Sequence, residues 1–101
     1  MTANISRETR KEVYQRDGWR CALCDCTQYI QIHHVIPRGQ GGALDSPHNL
    51  ITLCSKCHGQ AHGTDLVPGI TEADMAQMCV EYLADLYAFE GWHPWRSGYC
   101  P

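Results

Sequence analysis

The residues best suited to chemistry in this chain include two cysteine pairs with the same spacing. Cys21 and Cys24 form one C-x2-C pair, and Cys54 and Cys57 form the second. Four thiolates satisfy the tetrahedral preference of zinc and leave no open coordination position. The 29 residues between the pairs exceed the usual spacing of a zinc ribbon. We interpret the pairs as one closed structural zinc site, and four unrelated buried thiols are the alternative.

Histidines form a second group of possible metal ligands. His33 and His34 are adjacent in a segment rich in β-branched residues, and consecutive strand residues point to opposite faces. One of them is therefore expected to bind metal and the other to act as a base, unless the strand bends. His58 and His62 lie one helical turn apart and would complete an open site that admits water and substrate. A single structural zinc cluster that mixes cysteine with histidine is the alternative.

Length and composition restrict the class of protein. A chain of 101 residues forms one domain with a modest core, which a metal site would stabilise. Its N-terminus lacks the apolar run of a secretory signal, and an odd count of seven cysteines disfavours a complete disulfide framework. No stretch approaches the length of a membrane span. These features predict a cytoplasmic protein with reduced, metal-binding thiols and no membrane partner.

Charge is distributed unevenly along the chain. The net charge of −3 is unusual for a protein that binds nucleic acid. Residues 1–62, however, carry seven basic against five acidic side chains, whereas residues 63–101 carry one basic against six acidic. The first segment is therefore +2 and the second −5. The basic side chains accompany the predicted metal ligands, and the acidic half need not face a phosphate backbone.

The first element expected to position these residues is a helix over residues 6–17. Ser6 is a suitable N-cap and Gly18 a suitable stop. Basic side chains are expected on its solvent side, where they form either a solvated face or a phosphate-binding one. They are Arg7, Arg10, Lys11 and Arg16.

An antiparallel hairpin is expected to carry the histidine pair. Residues 29–35 and 50–53 are rich in β-branched residues and predict two short strands. Between them, glycines at 39, 41 and 42 predict a flexible loop. A short helix over residues 55–61 then follows the second cysteine pair.

The C-terminal segment predicts an amphipathic helix and an aromatic tail. Thr71 and Asp74 resemble a capping box, and apolar residues recur at helical spacing through about Glu90. We expect this apolar face to pack on the metal-binding part, and a homodimer interface is the alternative. The tail of residues 91–101 carries three aromatic side chains, Trp92, Trp95 and Tyr99.

Several other cysteines and histidines receive no functional role. Cys26 lies close to the first cysteine pair, but the spacing of the second pair disfavours it as a ligand. Cys79 falls on the apolar face of the C-terminal helix and is expected in the core. His48 and His93 are expected in loops or on the surface, and Cys100 has no predicted role.

In combination these segments resemble the HNH endonucleases, a family of ββα-metal nucleases. The resemblance covers roughly residues 6–62 and is greatest to a zinc-framed branch found in phages and bacteria. It implies an α+β fold with a nuclease core over residues 1–62. Residues 63–101 lie outside the resemblance, and we expect them to pack on this core as a helix and an aromatic tail. The residues that carry the resemblance are His33-His34-Val35-Ile36-Pro37-Arg38, the glycine loop, Asn49-Leu50 and Leu53-Cys54-x-x-Cys57-His58.

The resemblance implies a role for each matching polar residue. His34 would be the general base that takes a proton from the attacking water, and His33 and His58 would bind a catalytic divalent ion. Asn49 would hold the loop so that His34 is aimed correctly. His62 resembles an additional helix histidine of the colicin-like branch and would be a third ligand.

The implied activity is metal-dependent cleavage or nicking of DNA. One divalent ion can stabilise both the phosphate and the leaving oxygen. Imidazole ligands suit Mn²⁺, Ni²⁺ or Zn²⁺, whereas Mg²⁺ prefers oxygen and is expected to support less activity. Arg38 either contacts the phosphate or lies in solvent. The alternative function is a non-catalytic zinc module that binds nucleic acid, which would not need the histidine cluster.

Overall fold

The chain folds as a small α+β domain in the computed structural model, which describes residues 5–64 and 67–96. This confirms the predicted fold class, including a four-cysteine cluster compatible with zinc. Two 3₁₀ turns, Arg38–Gln40 and Pro47–Asn49, lie in the connection between the strands. In chain order the helices and strands are α1 (Arg7–Arg16), β1 (Ile30–His34), β2 (Leu50–Cys54), α2 (Ser55–Ala61) and α3 (Glu72–Leu86).

Helix α1 begins and ends where its capping residues predict. The Ser6 hydroxyl accepts a hydrogen bond from the backbone N–H of Thr9 at 3.1 Å, which satisfies a free donor of the first turn. Gly18 follows the helix with a φ of +75°, a conformation that glycine adopts without strain. Val13 is fully buried and anchors the helix in a small apolar cluster with Ile32 and Leu50.

The expectation that Arg16 faces solvent is wrong. Its guanidinium pairs with Asp17 at 2.8 Å and donates to the carbonyl oxygen of Leu50 at 2.7 Å. The Asp17 carboxylate in turn accepts from the Thr52 N–H at 3.0 Å and from the Tyr82 hydroxyl at 2.7 Å. Buried backbone groups at β2 require partners, so this charged pair joins α1, β2 and α3 instead of contacting solvent.

Strands β1 and β2 form the predicted antiparallel hairpin, with Ile30 opposite Cys54 and His34 opposite Leu50. Every residue of β2 is buried, because helices cover this strand. The larger core cluster joins Ile51 and Leu53 of β2 to α3, whose contribution is Met75, Cys79 and Leu83. Cys79 therefore lies in the core, as predicted.

Helix α3 begins with the predicted capping box but ends at Leu86, before the expected Glu90. The apolar spacing that predicts a longer helix continues to Phe89, but the side chain of Phe89 is fully exposed and does not belong to the packed face. Tyr87 leaves the helix because its ring stacks on His48, with 4.0 Å between centroids. The alternative use of the α3 apolar face as a dimer interface is not supported, because that face packs on the chain's own core. Within the described residues, no helix has the length and apolar character needed to cross a bilayer.

Candidate active site

The two cysteine pairs meet at the start of α2. Each of Cys21, Cys24, Cys54 and Cys57 offers a sulfur, and the four atoms all lie within 4.8 Å of one another. Burial opposes ionisation of Cys54, but hydrogen bonds from the Cys57 N–H and from neighbouring thiols lower its pKa to about 7. Burial raises the pKa of Cys24 and of Cys57, so a metal would displace protons from these thiols on binding. Four sulfurs at this spacing fit the tetrahedral preference of zinc. Cys26 is exposed and does not belong to this group.

Three histidines form a separate cluster beside the hairpin. His33 of β1, His58 of α2 and His62, which follows α2, each offer one ring nitrogen, and these atoms also lie within 4.8 Å of one another. The Nε2 atoms of His58 and His62 are 3.0 Å apart, and the ring centroid of His33 is 5.1 Å from each of theirs. His58 and His62 lie close together because residues four positions apart on a helix share one face.

The histidine cluster favours neutral imidazoles. Burial, followed by the proximity of His58 and His62, lowers the pKa of His33 to about 3. Burial and His62 also lower the pKa of His58. A neutral imidazole keeps the lone pair that a metal ligand requires. Three ring nitrogens within 4.8 Å of one another can serve as ligands of one divalent cation.

Gln31 orients one of these ligands and was not predicted from the sequence. Its side-chain oxygen hydrogen-bonds with His58 Nδ1. An amide oxygen accepts, so Nδ1 carries the proton and Nε2 presents its lone pair to the cluster. A signal was present, because Gln31 lies two residues before His33 on a strand and therefore on the same face.

His34 lies next to the cluster but has a different environment. Its Nε2 is 2.9 Å from the carbonyl oxygen of Leu44, which can only accept, so the proton is on Nε2 and Nδ1 has a free lone pair. His33 and His34 line the same cavity of 580 Å³, although they are consecutive strand residues. His34 is the last residue of β1, where the chain leaves the strand.

Asn49 holds the connection between the strands together. It is fully buried, its Oδ1 accepts from the Ile36 N–H at 2.7 Å, and its Nδ2 donates to the carbonyls of Ile36 and Ala43 at 2.9 and 2.8 Å. Of the glycines that predict a flexible loop, Gly41 and Gly42 are buried and closely packed, whereas Gly39 is exposed. A Cβ on Gly42 would lie 1.9 Å from the Ile36 carbonyl oxygen, so only glycine permits this approach.

The aromatic tail supports the same loop from outside. The Ala43 N–H donates to the Pro94 carbonyl at 2.9 Å, and the Arg96 N–H donates to the Gly41 carbonyl at 2.8 Å. Trp92 adds a bond from its Nε1 to the carbonyl of His48 at 2.7 Å. The tail thus braces the segment that contains Leu44, the hydrogen-bond partner of His34. Tyr99 and Cys100 lie outside the described residues.

The sequence predicts His48 to be a loop or surface residue without a role. In the structure its side chain is part of this brace. Its Nδ1 accepts from the His93 N–H at 2.9 Å, so its Nε2 carries the proton and donates to Glu90 at 3.1 Å. Its ring stacks on Tyr87. The imidazole is turned toward the tail, and His48 is not a member of either metal-ligand cluster found among the described residues.

Basic side chains approach the histidine cluster from α1. Arg10 lines a cavity of 280 Å³ together with Tyr14, Gln31 and His58. Arg7 and Lys11 of the same helix are exposed, as is Arg38 in the turn after β1. The four predicted phosphate-binding side chains therefore lie on two segments, before and after the strand that carries the histidine pair.

Comparison with known proteins identifies one family and two relatives. The HNH endonuclease family matches residues 21–64, which include both cysteine pairs and all three clustered histidines. Anaredoxin of Nostoc sp. strain PCC 7120 is 33% identical over 61 residues, which are 59% of this chain and 79% of that protein. The type IV methyl-directed restriction enzyme EcoKMcrA of Escherichia coli K12 is 45% identical over 40 residues, which are 40% of this chain and only 14% of that enzyme. No solved structure matches the chain.

Proposed function

The chain belongs to the HNH endonuclease family, and from this membership we propose that it is a metal-dependent endonuclease that hydrolyses phosphodiester bonds of DNA. The observation that carries the proposal is the cluster of His33, His58 and His62 beside His34. The cluster offers nitrogens to a cation, and the neighbouring imidazole has a free lone pair. The match to a restriction enzyme over 40 residues supports the same class of activity.

Two kinds of metal site are part of this proposal. The four cysteines would hold a structural zinc ion, and the three histidines would hold a catalytic divalent ion. When bound, the catalytic ion supplies charge stabilisation for the phosphate and the leaving oxygen. Because its ligands are neutral nitrogens, we expect Mn²⁺, Ni²⁺ or Zn²⁺ to serve better than Mg²⁺.

His34 acts as the general base in this proposal. Its Nδ1 takes a proton from the water that attacks phosphorus. The bond from Nε2–H to the Leu44 carbonyl fixes the tautomer, and it strengthens as the ring becomes an imidazolium. Asn49 does not touch the reacting atoms. Its three hydrogen bonds hold Ile36 and Ala43 in place and so fix the position of the loop that carries Leu44.

The basic residues would bind the phosphate backbone on both sides of the cut. Arg10 is nearest to the histidine cluster, since it lines the same cavity as His58. Arg7 and Lys11 would extend this contact along α1, and Arg38 would act from the turn after β1. Such contacts position the strand without reading its sequence, so we expect weak sequence preference.

The alternative, a non-catalytic zinc module that binds nucleic acid, is less consistent with the site. A binding module would need the cysteine cluster and the basic helix. It would have no need for neutral imidazoles gathered around one point, or for a fourth imidazole held in a single tautomer by Leu44. The histidines therefore favour catalysis over binding alone.

A nicking assay on supercoiled plasmid tests the proposed function. We expect relaxed circles when Mn²⁺, Ni²⁺ or Zn²⁺ is added, less product with Mg²⁺, and none with chelator. His34→Ala should lower the rate about 10²–10⁴-fold, the range for a general base, while the melting temperature and zinc content stay unchanged. His93→Ala, at an exposed histidine, is the matched control. Cleavage by His34→Ala at the wild-type rate would exclude His34 as the base.

A further inference from the structure

The cavity beside the histidines is larger than a water-filled metal site needs. Its 580 Å³ lie between the end of β1 and the N-terminal half of α3, with His33, His34 and His62 on one side. Pockets of about 300–1,000 Å³ are the size that holds small organic ligands. Helix α3, which lies outside the residues matched by the family, supplies the opposite wall.

Away from the histidines, the lining of this cavity does not suit a phosphate group. Its wall is largely apolar, with Ile36 from the loop and Ala76 and Val80 from α3. The polar side chains facing the histidines are Gln40 and Glu72, and no lysine or arginine is among the described lining residues. A carboxylate repels a phosphodiester, but it accepts hydrogen bonds from the amino groups of bases. Charge and polarity both favour an uncharged ligand.

The second cavity, which the cluster borders through His58, has the complementary character. Arg10 and Tyr14 line it together with His58, and the Tyr14 ring stacks on the half-exposed ring of Trp19 with 5.2 Å between centroids. The guanidinium of Arg10 suits a phosphate, and the stacked rings of Tyr14 and Trp19 suit an adjoining base. The histidine cluster therefore borders two cavities, one that contains Arg10 and one that is largely apolar and contains Glu72.

We propose that the apolar cavity binds one nucleobase of the strand being cut, beside the scissile phosphate, and that the preferred substrate has an unpaired nucleotide there. The inference rests on the proposed nuclease function and specifies its substrate. In a paired duplex the base is stacked and must be extruded before it can enter a pocket, which costs free energy. Single-stranded, bulged or mismatched DNA avoids that cost.

Fluorescence anisotropy without added divalent ion measures this preference independently of cleavage. Three labelled oligonucleotides serve as probes: a single strand, its perfect duplex, and the duplex with one bulged nucleotide. We expect the single strand and the bulged duplex to bind about tenfold more tightly than the perfect duplex, the scale of one stacked base. Equal affinity of the wild type for all three would overturn the proposal.

Substitutions at two exposed residues that line the cavity, and at one exposed residue outside it, show whether the cavity is responsible for the preference. Ala76→Leu fills the cavity and should abolish the preference, and Ala73→Leu, at a second exposed lining residue, should do the same if the first variant folds poorly. Ala88→Leu adds the same side chain at an exposed position outside the cavity and should leave the preference intact. A preference that survives in folded Ala76→Leu and Ala73→Leu would assign base binding to another surface.

A cleavage arm with Mn²⁺ separates failure of this inference from failure of the proposed function. His34-dependent cleavage of all three probes at one rate would retain the nuclease and overturn the base pocket. Preferential binding of the unpaired probes without cleavage of any would overturn the nuclease, and the cavity would still be a base-binding site.

Discussion

The cysteine and histidine clusters share the α2 segment but differ in ligand number and in their access to cavities. Cys57 and His58 are consecutive, yet one joins the sulfur cluster and the other the nitrogen cluster. Each cluster has one exposed member, Cys24 and His62, but the two cavities are lined by the clustered histidines and by none of the four cysteines. Four donors close a site, and three leave it open to ligands. The difference predicts that loss of one cluster costs folding and loss of the other costs chemistry.

Cys54→Ser should have the largest effect, because it removes a ligand from the closed cluster. Structural zinc contributes about 10–16 kcal/mol in small zinc-dependent peptides, which is comparable to or larger than the stability of a typical domain. We expect loss of zinc, of helical circular dichroism and of a cooperative thermal transition. Cys26→Ser, at an exposed cysteine outside the cluster, should retain all three. A Cys54→Ser protein that melts normally would exclude the four-cysteine site.

His58→Ala should give the opposite result. One nitrogen ligand is lost from the open cluster, so Mn²⁺ or Ni²⁺ affinity and nicking should both fall, the latter by more than about 10²-fold, since metal stabilisation of the transition state is worth several kcal/mol. The melting temperature measured without added divalent ion should change little. Titration calorimetry and the plasmid assay measure the two losses. Unfolding of His58→Ala would show that both clusters are structural.

Local sequence signals were sufficient for the elements and for the ligand pairs. The two C-x2-C pairs, the one-turn spacing of His58 and His62, and the Ser6 cap each depend on neighbours within a few residues. Such patterns specify where a helix begins or which side chains share its face. The four cysteines lie close together, and so do the three histidines, but local spacing accounts only for the pairs and not for the approach of Cys21 to Cys54 or of His33 to His58.

Long-range hydrogen bonds could not be predicted in this way. Arg16 reaches a carbonyl 34 positions away, and His48 bonds to the tail 42 and 45 positions away. Local periodicity contains no information on partners this distant in the sequence. It therefore predicts Arg16 on the solvent side of its helix and His48 in a loop or on the surface. The role of Trp92 was missed for the same reason.

Gln31→Ala tests the orientation of a histidine ligand. Without the amide oxygen, the proton of His58 is free to move to Nε2, and the lone pair is no longer held toward the cluster. Partners of this kind typically change metal affinity about 10–100-fold. We expect that loss in a Ni²⁺ titration, with zinc content and melting temperature unchanged. Gln15→Ala, at an exposed glutamine of α1, is the matched control. Unchanged Ni²⁺ affinity in Gln31→Ala would mean that backbone geometry alone orients His58.

Trp92→Phe should have the smallest effect and shows whether the tail supports the histidine site alone. The substitution keeps an aromatic ring but removes the donor to the His48 carbonyl, which costs about 1 kcal/mol for one hydrogen bond. Because the loop between the strands carries Leu44, looser bracing should lower kcat several-fold at unchanged KM, while zinc content stays constant. Phe89→Leu, at a fully exposed ring close to the tail in sequence, controls for a side-chain change that removes no hydrogen bond. If Trp92→Phe instead released zinc, the tail would stabilise the cysteine cluster as well, and the two sites would not be independent.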